Sequence, residues 1–310
     1  MFQVNFSMFR GIATTVLLVL IGSSFVSAQD QMHITRLSGA ITFDGNPDEA
    51  AWNTVAPLPL ITFSPEYGKQ VPKVTTYKIT YDEEFLYFSG ILEDHQADKR
   101  QVQLKRDDWK YNCDWAGLII DTYNDKENTV VFATSPSGGR TDVAFSNDAN
   151  SLDTDMNLSW NTFWEVQTQA DDIRWSFEMR IPFSSLRFQE KNGEVIMGIS
   201  TWRYISDSYE SYVFPDADVK HGFWGVFKAS QTQEVVFKGI KSKNPIYFAP
   251  YIIGGLQQKN KLNATESAYE RKNSFTRNIG GDVKLRVSDK LTLDLTANTD
   301  FAQVEADDQM

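Results

Sequence analysis

The sequence predicts an all-β protein, an antiparallel β-sandwich followed by the first strands of a β-barrel. Three observations predict it. Short segments that alternate apolar and polar residues, bounded by Asp, Asn, Gly or Pro, recur from about residue 33 to 240. Long helical periodicity is nearly absent over the same span. Beyond residue 240 the alternation becomes strict, with tight turns and a long polar loop, which is how outer-membrane barrel strands look.

The chain opens MFQVNFSMFRGIATTVLLVLIGSSFVSAQ, with Arg10 before an apolar run from Ile12 to Ile21 and then Val26-Ser27-Ala28. That layout predicts a signal peptide over residues 1–28, cleaved after Ala28, with an uncleaved anchor as the other reading. In NPDEAAWNTV (46–55), Pro47 and two acids at the leading end favour one helical turn. Trp52 within it is expected to plug the sandwich edge. Strands follow at VTTYKITYD (74–82), FLYFSGILED (85–94), WAGLIIDTY (115–123), VVFATSP (130–136), RTDVAFS (140–146), FWEVQTQA (163–170), IRWSFEMRIP (173–182) and EVIMGISTWRYI (194–205). Spacing of this kind means an antiparallel sandwich. The strand from Trp115 is mostly apolar and therefore central, with Trp115, Gly117, Ile119 and Asp121 on one face and Ala116, Leu118, Ile120 and Thr122 on the other.

The last stretch, residues 241–310, reads as the start of an outer-membrane barrel. After NPIYFAPYIIGGLQQ (244–258) and a polar loop, Val283, Leu285 and Val287 alternate with Asp282, Lys284 and Arg286. Past the Ser288-Asp289 turn, Leu291, Leu293 and Leu295 alternate with Thr292, Asp294 and Thr296. Two or three strands cannot close a barrel in lipid, so this reading expects further strands beyond them. A soluble hairpin attached to the sandwich is the alternative.

Composition narrows the chemistry. Cys113 is the single cysteine, so no intramolecular disulfide forms and stability comes from a buried core. A net charge of −11 argues against nucleic acid and against electrostatic binding to anionic lipid. Aromatic residues make up 13% of the chain, enough to serve both as core and as platforms for neutral ligands.

The stretch RDDWKYNCDWAGLIIDTYND (106–125) concentrates the candidates. Asp107, Asp108 and Asp114 precede the central strand, and Asp121 and Asp125 follow it. Such carboxylates are hard ligands of the kind Ca²⁺ prefers, although no EF-hand spacing is present and solvated loop acids are the other reading. Flat rings stack on the apolar faces of pyranoses while Asp, Asn, Gln and Arg take the hydroxyls. Trp109 lies in an acidic loop, and Trp202, next to Arg203, lies at a strand end, so the two are expected to face each other across a cleft. Trp115, Trp164 and Trp175 fall in core phases. A glycosidase would need two carboxylates about 5–9.5 Å apart. Glu165 and Glu178 are the available neighbours, but Glu178 alternates with Arg180 like a structural ion pair, so binding outranks O-glycosyl hydrolysis. Three scattered histidines and no GxSxG give no support to a Ser-His-Asp site. Met156, Met179, Met197 and His221 keep a haem-binding redox sandwich open. A cap or gate on a barrel is the third reading.

Taken in order, ITFDGNPDEAAWNTV (41–55), VTTYKITYDEEFLYFSGILED (74–94), RDD (106–108), GLIIDTYND (117–125), SPSGGRTD (135–142) and WSFEMRIPFSSLRF (175–188) resemble a carbohydrate-binding module family 9-like domain over about residues 33–230. The likeness is to the version that precedes an outer-membrane barrel of unknown function in Bacteroidetes-type bacteria. The resemblance implies a sugar-binding sandwich over residues 29–240 that serves carbohydrate catabolism without catalysing it. It further implies a saccharide held between two rings, mapped here to Trp109 and Trp202. Arg106, Asp108 and Arg203 become the polar contacts, and Asp107, Asp121 and Asp125 the ligands of a bound calcium. The barrel would place the protein in the outer membrane.

Overall fold

The computed structural model describes residues 31–94, 105–109, 112–241, 246–265, 267–288 and 291–298; the expected signal peptide lies outside the described residues. Its strands are β1 (Met32–His33), β2 (Ile61–Ser64), β3 (Thr75–Tyr81), β4 (Phe85–Glu93), β5 (Trp115–Asp121), β6 (Thr129–Thr134), β7 (Arg140–Phe145), β8 (Met156–Asn157) and β9 (Glu165–Ala170). Next come β10 (Arg174–Pro182), β11 (Glu194–Ile205), β12 (Glu210–Phe214), β13 (Gln233–Lys238), β14 (Ile246–Leu262), β15 (Tyr269–Ser288) and β16 (Leu291–Ala297). Two single-turn helices are α1 (Ala50–Asn53) and α2 (Leu152–Asp155).

Nine strands form the larger sheet, in the order β1-β13-β11-β5-β6-β7-β8 with β12 and β2 branching from β11. A four-stranded sheet, β3-β4-β10-β9, packs against one of its faces. β5 sits in the middle of the large sheet and every one of its residues is buried. The phase read from its sequence is the phase observed. Ala116, Leu118 and Ile120 enter the core between the sheets, with Phe88, Phe177 and Ile199, whereas Trp115 and Ile119 join a second cluster on the outer face. That outer cluster, with Trp202, Phe145, Val226 and Phe227, explains why β5 reads as a continuous apolar run: both of its faces are covered.

β10 shows how the two ends of the sandwich sequence hold each other. Trp175, Phe177, Met179 and Ile181 face the core, while the alternate residues Ser176, Glu178 and Arg180 grip the segment around Gly45. The Ser176 hydroxyl donates to Gly45 O at 2.7 Å, and Arg180 lies 4.5 Å over the Phe43 ring. One Glu178 oxygen accepts from the Asp44 and Gly45 amides, both at 3.0 Å, and the other from Trp52 Nε1 at 2.9 Å. Gly45 has φ +92° and a Cβ there would lie 2.7 Å from Thr168 N, so no other residue fits. Trp52 thus lies over the outer face of the four-stranded sheet instead of plugging a sandwich edge, because β10 is an interior strand whose polar face needed cover.

The third sheet, β14-β15-β16, is antiparallel and three-stranded, and no closed barrel forms among the described residues. Its strands are long: β14 has 17 residues and β15 has 20.

Candidate functional site

The acids around β5 build loops. Asp121 accepts from the Asp125 and Lys126 amides at 3.1 and 2.9 Å, and Asp125 in turn accepts from the Glu127 and Asn128 amides, both at 2.8 Å. Together they fold the turn that carries Tyr123 and Asn128 from β5 into β6. On the neighbouring strand, Asp142 accepts from Arg106 Nη2 at 2.7 Å and from the Thr162 amide at 2.8 Å, while the same guanidinium nitrogen donates to Asn161 Oδ1 at 2.8 Å. Asp142 and Arg106 thereby pin the 159–162 loop. Burial pushes the carboxyls of both Asp121 and Asp142 above their ordinary value, opposed by these hydrogen bonds.

Between these two pinned loops lies a groove of about 790 Å³. Its floor is Val130 and Ala144, directly paired positions on β6 and β7, backed by the buried Ile120 of β5. Its walls carry Tyr123, Asp125 and Asn128 on one side and Trp160, Asn161 and Thr162 on the other, with Ser185, Arg187 and, from β16, Asp294 at the rim. The Trp160 ring is held edge-on at 6.0 Å by Phe132 and is half-buried; Tyr123 is 38% exposed. Two rings beside many neutral and charged hydrogen-bonding groups, on an apolar floor, match what a polyhydroxylated ligand requires.

The expected pair of rings is arranged differently. Trp109 and Trp202 do meet, but they stack directly on each other, 5.6 Å between centroids with planes 7° apart. A sugar held between two rings needs about 7–8 Å, two van der Waals separations. Trp202 is 1% exposed, roofed by Trp109 and Phe227, so it is a core residue. The reason is its partner in register: Trp202 lies opposite Gly117, where a Cβ would come within 1.9 Å of the indole. Arg203, in the opposite phase, is also 1% exposed. Its guanidinium bridges the two sheets to Thr75 Oγ1 and Glu93 O at 2.6 and 2.8 Å, so it is not a ligand contact. Trp109, Asp108 and Arg106 remain half-buried, and only Arg106 reaches the groove, through Asn161.

The three acids expected to share calcium do not converge. Asp107 runs beside the start of β7, on the side that β8 covers further along, its amide donating to Arg140 O at 3.0 Å, three strand spacings or about 14 Å from β5. Asp121 and Asp125 belong to the turn at the far end of β5. Ligands to one Ca²⁺ must each lie within about 2.6 Å of the ion. Among the described residues no three acidic, histidine or cysteine side chains gather around one point. The residues do not fit a shared cation.

Nor do Glu165 and Glu178 stand as a catalytic pair. Glu165 ion-pairs with Arg180, and both Glu178 oxygens accept from the Asp44–Trp52 segment. Of the haem candidates, Met179 and Met197 are wholly buried in the inter-sheet core.

A comparison with family models finds a match to the carbohydrate family 9 binding domain-like model over residues 43–210, more than half of the chain. The chain belongs to this family. The match starts at Phe43 and so takes in the grip between the Asp44-Gly45 segment and Glu178. Among solved structures, the family 9-like domain is similar to a carbohydrate-binding module family 9 of Caldicellulosiruptor kristjanssonii in complex with glucose. Identity is 15% and the TM-score 0.45, with 69% of this chain and 97% of that chain covered. A second structure of that module, with cellotriose, gives 15% identity, a TM-score of 0.44 and coverage of 69% and 95%. A candidate carbohydrate-binding protein from Bacteroides uniformis gives 8% identity, a TM-score of 0.49 and coverage of 67% and 99%. No curated protein matches.

The groove residues of this family 9-like domain that sequence reading missed are the Tyr123 and Trp160 rings with Asn128, Asn161, Thr162 and Arg187. One signal for them was present: Asp121 and Asp142 stand in strand positions that are otherwise apolar, which marks carboxylates buried to hold a loop.

Proposed function

We propose that this protein binds saccharide without cleaving it, in the groove between the 122–128 turn and the 159–162 loop. The observation that carries this is the convergence of the Trp160 and Tyr123 rings with Asn128, Asn161 and Arg187 over the Val130-Ala144 floor. Family membership and the sugars named for the similar modules support the ligand class. Isothermal titration with cello-oligosaccharides and a glycan array test it. Trp160→Ala is expected to weaken binding roughly tenfold, about 1–1.5 kcal/mol, through loss of one stacking face, while Trp109→Ala leaves affinity unchanged. The reverse pattern would move the site to the Trp109 face. An arm with chelator tests the calcium expected of the family.

We further propose that β14, β15 and β16 open an outer-membrane barrel. Ile246, Phe248, Ile252 and Leu256 on β14, Phe275 and Ile279 on β15, and Leu293 and Leu295 on β16 share one face, from 43% exposed at Leu293 to 88% at Leu256. From Ile246 to Leu256 the strand covers about 34 Å at 3.4 Å per residue. A tilt of about 40° reduces that to about 26 Å, close to the apolar band of such barrels. Resistance of the protein to extraction from outer membranes by alkaline carbonate tests this; release would overturn it.

A further inference from the structure

We infer that the sandwich, with its groove, lies on the periplasmic side of the outer membrane. This rests on the barrel reading above, and it follows from the unequal ends of the three-stranded sheet. Barrels of this kind have short turns on the periplasmic side and longer loops outside. β15 and β16 are joined by only two residues, between Ser288 and Leu291. The other end is long and polar. β14 and β15 stay paired well past the apolar face, from Gln257↔Ser274 to Leu262↔Tyr269, through Lys259, Lys261, Glu270, Arg271 and Lys272. That paired extension rises about 17–20 Å beyond the apolar face at 3.4 Å per residue. A charged extension of this length has no place in hydrocarbon and is the outer loop.

The chain direction then assigns the sandwich. β13 ends at Lys238 and β14 starts at Ile246, so the sandwich joins β14 at the end opposite the long hairpin. Ile246 pairs with Leu285, near the β15–β16 turn. The sandwich and the tight turn share one side, and that side is the periplasm. Its groove therefore meets saccharides inside the envelope, not polymers outside the cell.

Single cysteines read this out in whole Gram-negative cells exporting the full protein. Cys113 is buried and its thiol is pushed up to about 12 by burial, so the parent supplies a silent background. Ser267→Cys places a thiol in the exposed β14–β15 loop, and Asp172→Cys one in the exposed turn before β10. With a membrane-impermeant maleimide polymer, Ser267→Cys is expected to shift on gels in intact cells, and Asp172→Cys only after the outer membrane is permeabilised. Labelling of Asp172→Cys in intact cells, or a Ser267→Cys that needs permeabilisation, overturns the inference. Carbonate extraction of the same variants separates the two failures: released protein means the barrel reading itself is wrong, whereas retained protein with inverted labelling means only the sidedness is.

Discussion

At the scale of single residues, the structure turns on where a side chain is missing. Gly117 lets the Trp202 indole lie flat across β5, and Trp109 then closes over Trp202. Gly117→Ala would drive a methyl into that ring, and an overpacked core of this kind costs about 1–3 kcal/mol. Urea unfolding should show a lower midpoint with an unchanged slope; an unaltered midpoint would mean that Trp202 moves freely and that the stack is not a fixed part of the core. The same pair shows why a ring's role is hard to read from its neighbours in sequence. STWRYISD looks like a strand end, yet β12 and Phe227 cover it, and both lie distant in sequence from the Gly117 that makes room.

At the scale of elements, β10 is the organiser, presenting apolar residues inward and Ser176, Glu178 and Arg180 outward to the Asp44–Trp52 segment. Glu178→Gln tests that arrangement. An amide keeps the shape but turns one acceptor oxygen into a donor, which must then face either the Asp44 and Gly45 amides or Trp52 Nε1. A loss of about 1–3 kcal/mol in unfolding free energy is expected, the cost of buried donors left without an acceptor. Equal stability would show that the carboxyl is already protonated in the fold. This element was legible in sequence as an alternating strand; its grip on residue 44 was not, since the partners stand more than a hundred positions apart.

Over the whole molecule, acid content and burial combine into a pH dependence of unusual sign. Asp114, Asp121, Asp142 and Glu178 all have pKa values raised by burial. Between the ordinary and the raised values the folded chain binds more protons than the unfolded one, so stability falls as pH climbs through that window and levels off above it. Asp155, held by the Ser151 amide, Glu210, where burial is outweighed by the Tyr212 hydroxyl and Lys73, and Asp218, held by the Lys220 side chain, are lowered and act oppositely, losing stability only as pH drops below the ordinary carboxylate range. With a net charge of −11 adding self-repulsion at neutral pH, thermal stability should rise on acidification from pH 7 and peak in the region of pH 4–4.5. Calorimetry across that range at fixed ionic strength checks it, and a melting temperature that declines steadily below pH 7 would refute the burial argument.

Alternation is a local property, set by residues two apart, and it was enough by itself to determine an all-β chain, the two faces of β5, the core phases of Trp115 and Trp175, and the strict pattern after residue 240. Which rings and acids meet a ligand depended on pairings the chain makes only when folded. Trp202 was closed off by Gly117 and Phe227, Arg203 was drawn between the sheets by Thr75 and Glu93, and Asn161 was carried to the groove by Arg106 and Asp142. A carboxylate reads the same in sequence whether it waits for a ligand or accepts from a backbone amide, and only the tertiary structure supplies or withholds that amide.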